Sequence, residues 1–134
     1  MVHMAGDEEP TICIIDNDAS VRKALLRLMR SAGVAAISYA SADELLSEPM
    51  LPQYACIVAD IRMQGTSGLA LPGLLAKRGL HIPVIFVSAQ DTEETRAAAK
   101  RVGAVGFFRK PVDDQALLDA LAWAIRSDNR KNHA

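Results

Sequence analysis

Five short apolar runs recur along this chain, and a stretch long enough for a helix separates each from the next. Strands joined by helix-length connections pair in parallel through right-handed crossovers, so the pattern selects an open α/β architecture. The runs are Thr11–Ile15, Val34–Tyr39, Ala55–Ala59, Pro83–Val87 and Val105–Phe108. Between the first two, Val21, Leu25, Leu28 and Met29 recur at helical spacing, and Gly33 stops that helix. Ser41 and Glu44 make a capping box for a second helix, which Pro49 ends. A third helix is expected from about Gly68 to Arg78, with Pro72 in its first turn. Asp91 and Glu94 predict a second capping box, for a helix ending near Gly103. Ala97, Ala98 and Ala99 give that helix little bulk to bury, so loose packing is expected. The last helix runs from Asp113 to about Ser127, with Leu117, Leu118, Leu121 and Ile125 facing inward. The fold class is therefore α/β, a doubly wound sheet of five parallel strands with five helices.

Each apolar run but the second leads into a chemically distinctive residue. Asp16, Asn17 and Asp18 follow the first run, Asp60 the third, Ser88 the fourth, and Lys110–Pro111 the fifth. Parallel strands point the same way, so these residues collect at one edge of the sheet, where open α/β sheets bind ligands. Carboxylates, a hydroxyl and an ammonium around one point can hold a divalent cation and a phosphoryl group together.

At 134 residues the chain makes one domain with a sizeable core, expected over residues 11–127. A net charge of −1 gives no footprint for a polyanion, and no direct nucleic-acid contact is expected. No apolar run approaches a membrane span and no secretory signal is visible. Cys13 and Cys56 lie inside apolar runs and read as buried free thiols, which suggests a reducing, cytoplasmic setting. Residues 1–10 read as a disordered segment, with Met1–His3 a tag remnant and Met4 the natural start. Residues 128–134 read as a polar tail or the start of a linker.

The ordered signals IIDND, VADIRM, Gly68, VIFVSA and FFRKP resemble those of response-regulator receiver domains of bacterial two-component systems. The resemblance runs from about Thr11 to Ser127 and implies a flavodoxin-like fold with strand order 2-1-3-4-5. It implies that Asp60 accepts a phosphoryl group from a histidine kinase or a small acyl phosphate. It further implies Mg²⁺ held by Asp16, Asn17, Asp60 and the Arg62 backbone carbonyl, with Asp18 as an additional candidate. Ser88 and Lys110 would contact the phosphoryl oxygens, Phe107 would be the aromatic switch residue, and the Lys110–Pro111 peptide would be cis. The face formed by the fourth helix, fifth strand and last helix would serve a homodimer. An output domain outside the chain would regulate transcription.

Two positions depart from the pattern. Asn17 stands where most members carry an acid, which removes a negative charge beside the metal, so Mg²⁺ is expected to bind weakly. Gln64 stands where Pro usually follows Met63, so the loop loses a fixed φ and greater mobility is expected. These departures support an alternative, a degenerate receiver acting as a phosphorylation-independent interaction module. A third reading resembles haloacid-dehalogenase-type phosphatases through IIDND, Ser88 and Lys110, but Asp113–Asp114 stand at a helix start rather than a strand end. Plainer roles compete residue by residue. Asp16 and Asp18 could cap the first helix, Asp60 could be a turn acid, Ser88 a loop hydroxyl and Lys110 a solvated charge. One of Phe107 and Phe108 is core by strand alternation, and Trp123 reads as packing.

Overall fold

The computed structural model describes residues 10–132, and side chains to Ser127. The expectations for residues 1–9 and 133–134 fall outside it. The order of elements is β1 (Thr11–Ile15), α1 (Ala19–Ser31), β2 (Ala35–Tyr39), α2 (Ala42–Leu46), β3 (Cys56–Asp60), α3 (Leu71–Ala76), β4 (Val84–Ser88), α4 (Glu93–Arg101), β5 (Gly106–Arg109) and α5 (Asp114–Asn132). The strands form one parallel sheet in the order β2-β1-β3-β4-β5. This is the doubly wound fold that the alternation of runs predicts.

Side chains alternate across the strands and build two cores. Cys13, Ile15, Ile57, Ala59, Val84 and Phe86 face α2, α3 and α4. Ile12, Ile14, Cys56, Val58, Ile85 and Val87 face Met29 of α1 and Leu117, Leu121 and Ala124 of α5. β1, β3 and β4 are covered on both faces, which is why their sequences read as unbroken apolar runs. Cys13 and Cys56 are buried, outside any disulfide, and point to opposite faces of neighbouring strands. Burial pushes the Cys13 thiol up to about 12, so it stays protonated and unreactive. Phe107 and Phe108 also divide between the two faces, each half-buried because β5 is an edge strand.

The helix ends show where local signals compete. Ser41 caps α2 through the Glu44 N–H as expected (3.0 Å). At α4 the N-cap is Thr92, whose hydroxyl accepts the Thr95 N–H (3.1 Å), and not Asp91. Asp91 is drawn instead to the Arg96 guanidinium, which holds its carboxyl below the usual range. The expected third helix is split into a 3₁₀ turn at Gly68–Ala70 and a shorter α3. Pro72 has no N–H to donate backwards, so the preceding turn closes tighter, with the Ala70 N–H on the Ser67 carbonyl (3.0 Å). α5 continues past Ser127 to Asn132, since no Pro or Gly interrupts it. α4 buries only Ala99, in line with its expected light packing. Trp123, expected to be packing, is 53% exposed and lines an open groove with Val102, Val105 and His81. The groove lies at the amino ends of β4 and β5, opposite the site described next.

Candidate functional site

Asp16 follows β1, Asp60 ends β3, Ser88 ends β4, and Lys110 follows β5. The shared direction of these strands brings the four residues to one edge. Lys110 joins two of them directly, with Nζ 2.7 Å from Asp16 Oδ2 and 2.9 Å from Asp60 Oδ2. Backbone amides fix the other oxygens. Asp16 Oδ1 accepts the Asp18 N–H (2.9 Å), and Asp60 Oδ1 accepts the Arg62 N–H (3.1 Å). Asp16 is 1% exposed, a burial that a carboxylate tolerates only with such partners.

Lys110 answers both anions. Burial works against its ammonium, but the hydrogen bonds and charges of Asp16 and Asp60 outweigh that cost and raise its pKa above the ordinary lysine value. The peptide that follows, Lys110–Pro111, is cis. The Lys110 N–H donates to the Ser88 carbonyl (2.8 Å), which fastens this loop to the end of β4. Ser88 is 1% exposed, and its Oγ accepts the Gln90 N–H (3.1 Å), an arrangement that leaves its own proton for another acceptor.

Each carboxylate oxygen of Asp16 and Asp60 accepts from one N–H donor and keeps a further lone pair with which to bind a cation. This donor set is all oxygen and anionic, with no imidazole or thiolate beside it, which fits a hard cation such as Mg²⁺. The fit rests on two carboxylates. Among the described residues, no three acidic, His or Cys side chains converge.

The neighbouring acidic positions are otherwise employed. Asp18 caps α1, accepting from the Ser20 N–H (2.8 Å) and hydroxyl (2.6 Å), and these bonds lower its pKa. The plainer reading of Asp18 thus describes its place. Asn17 turns toward the adjoining loops. Its Nδ2 donates to the Ala40 carbonyl (2.6 Å) and its Oδ1 accepts the Gln64 N–H (3.0 Å).

The loop after β3, for which greater mobility is expected without proline, is held at several points. Asp43 of α2 accepts from the Thr66 N–H (3.0 Å) and from its hydroxyl, which lower the Asp43 pKa. The signal for this anchor, an acid in the first turn of α2 facing a Thr, is invisible until tertiary structure brings the two together. At Gly65 (φ +80°) a Cβ would lie 2.3 Å from Asp43 Oδ2, so the anchor needs glycine there. Gly68 closes the loop by donating its N–H to the Ile61 carbonyl (3.0 Å). A Cβ on Gly68 would come 2.3 Å from the Asp60 backbone oxygen. Gly68→Ala is therefore expected to push the Asp60 backbone aside, costing about 1–3 kcal/mol in thermal unfolding. An unchanged melting curve would show that the loop yields freely.

Phe107 packs on the α2–α4 side, where the Arg96 guanidinium lies 4.8 Å from its ring centroid. Asp91 Oδ2 accepts from Nη2 of the same guanidinium (2.9 Å). Sequence reading took Asp91 only as a cap and missed Arg96, whose contact with Phe107 forms only when α4 docks on β5.

Comparison with known proteins agrees with this geometry. Residues 12–122 match the response regulator receiver domain family. Nodulation protein W of Bradyrhizobium diazoefficiens is 34% identical over 132 residues, covering 98% of this chain and 58% of that protein. Transcriptional regulatory protein TdiR of Thauera aromatica is 37% identical over 115 residues, covering 86% and 51%. The chain thus spans about half the length of these relatives. Among solved structures, response regulator StyR superposes with a TM-score of 0.84 at 33% identity, over 94% of this chain and 64% of that one. Fold, cluster and sequence likeness together make this chain a member of the response regulator receiver domain family.

Proposed function

We propose that the chain is a phosphorylation-dependent switch in which Asp60 accepts a phosphoryl group from a histidine kinase or a small acyl phosphate. The observation that carries this reading is the Lys110 ammonium bridging Asp16 and Asp60 beside the buried hydroxyl of Ser88. A carboxylate oxygen of Asp60 attacks phosphorus, the bond from phosphorus to the donor's leaving group breaks, and an acyl phosphate forms. Asp16, Asp60 and the Arg62 carbonyl would hold Mg²⁺, which when bound neutralises charge on the transferring oxygens. Lys110 leaves its shared position and pairs with a phosphoryl oxygen. Ser88 donates its proton to another.

The output follows from Ser88 and Phe107. A charged acceptor on Asp60 draws the Ser88 hydroxyl toward it and vacates space behind β4, into which Phe107 turns. That movement alters the surface of α4, β5 and α5, which binds a second copy by two-fold symmetry. The relatives named as regulators of transcription support an output domain in a longer protein, acting in the cytoplasm where kinases deliver phosphate. Beryllofluoride with Mg²⁺ should raise dimer content in sedimentation, and should do so less in Ser88→Ala. Tight beryllofluoride binding with no change in association or in Phe107 signals would favour the phosphate-independent interaction module instead. Asn17, turned away from the cluster, is the observation on that side.

A further inference from the structure

Asn17 and Gln64, the two departures from the receiver pattern, are joined to each other by a hydrogen bond. We propose that they form one compensating device. Asn17 is a positioning residue that clamps the phosphorylation loop, and Gln64 supplies the N–H that the clamp needs. The metal is then left to Asp16, Asp60 and the Arg62 carbonyl. This inference deepens the phosphoryl-acceptor reading and rests on it for its functional consequence.

The orientation of the Asn17 amide follows from its two partners. The Ala40 carbonyl at 2.6 Å can only accept, and the Gln64 N–H at 3.0 Å can only donate. A flipped amide would set oxygen against oxygen and nitrogen against nitrogen, so the assigned arrangement is the one that satisfies both groups. The side chain therefore spans three loops. It grows from the β1–α1 turn, donates to the β2–α2 turn, and accepts from the loop that follows Asp60. With Asp43 holding Thr66 two residues on, the loop is tied at both positions without a proline's fixed φ.

Single changes break this arrangement. An Asp at position 17 would set an anionic oxygen against the Ala40 carbonyl, so that carboxylate would swing away and become available to a cation. A Pro at position 64 has no N–H, so Asn17 Oδ1 would lose its partner. Asn with Gln is self-consistent, and so is Asp with Pro. The mixed pairs are not.

The test compares the natural protein with Asn17→Asp, Gln64→Pro and the double variant. Amide hydrogen exchange in the metal-free natural protein should show a protected Gln64 N–H. Asn17→Asp should abolish that protection while Thr66, held by Asp43, keeps its own. Mg²⁺ titrated by calorimetry should bind roughly tenfold more tightly to Asn17→Asp, the effect of one added charge. Gln64→Pro alone should slow acetyl-phosphate labelling several-fold, and the same change beside Asp at position 17 should leave the rate within twofold. Should Gln64→Pro prevent folding, Asn17→Ala, which removes both bonds and adds no charge, should still expose the Gln64 N–H to exchange. An unprotected Gln64 in the natural protein overturns the proposal, as does an equal effect of Gln64→Pro in both backgrounds. Exchange and metal binding need no phosphoryl donor, so failure of the natural protein to label would sink the acceptor reading and leave the clamp standing.

Discussion

Asp60→Asn is expected to abolish acyl-phosphate formation. Incubation with acetyl phosphate and Mg²⁺, borohydride trapping and peptide mapping should find label on Asp60 alone, and the variant should fall to background. The expectation follows from placement. Asp60 ends the central strand β3, shares Lys110 with Asp16, and has its other oxygen aimed by the Arg62 N–H. Asp16 has a similar set of bonds but is almost wholly buried, which bars an incoming phosphoryl donor. An amide in place of the Asp60 carboxylate keeps the shape and loses the nucleophile. Stability should hold within about 1 kcal/mol or rise, because two anions share one cation and removing one relieves their repulsion. Label persisting in Asp60→Asn, or mapping to another residue, would refute the assignment.

Lys110→Met should separate three properties that the natural protein keeps together. Phosphoryl transfer should slow about 10²-fold or more, the usual result of removing a donor aimed at developing oxyanion charge. Mg²⁺ should bind more tightly, because the ammonium competes with any cation for the same two carboxylates. Without Mg²⁺ the variant should lose about 1–3 kcal/mol, less than for a fully buried pair because the Lys110 side chain is 23% exposed. Added Mg²⁺ should restore that stability by binding the folded state. The raised Lys110 pKa sets the pH dependence. Its contribution is complete below the ordinary lysine value and fades as pH rises through the higher folded-state value. Urea unfolding of both proteins from neutral to strongly alkaline pH should therefore converge at the alkaline end. Parallel curves would mean that Lys110 gives the fold no ionic stabilisation.

Much of this molecule could be read along the chain because its signals are local or periodic. Apolar runs alternating with helical spacing require a parallel sheet, and a parallel sheet requires that Asp16, Asp60, Ser88 and Lys110 share an edge. The strand bounds differ from the sequence reading by about one residue, since hydrogen-bond partners, not composition, decide where pairing starts. The cap of α2 was legible because Ser41 meets no rival. At α4, Asp91 and Thr92 were rival caps, and the choice fell to Thr92 once Arg96 had claimed Asp91.

What the chain alone could not decide were the pairings made across long sequence separations. Set against the receiver pattern, Asn17 is a lost charge and Gln64 a lost proline, and each taken singly reads as a defect. Only the folded backbone brings the Gln64 N–H within 3.0 Å of Asn17 Oδ1, and Thr66 onto Asp43. Trp123 likewise reads as packing in the sequence, and its exposure depends on where α5 runs relative to the amino ends of β4 and β5. The sequence by itself determined the fold class, the sheet edge and the chemical types gathered there, because backbone hydrogen bonding and hydrophobic periodicity are written residue by residue. The tertiary structure decided which polar atoms satisfy one another at that edge. A hydrogen bond depends on tenths of an ångström between groups that the chain keeps far apart.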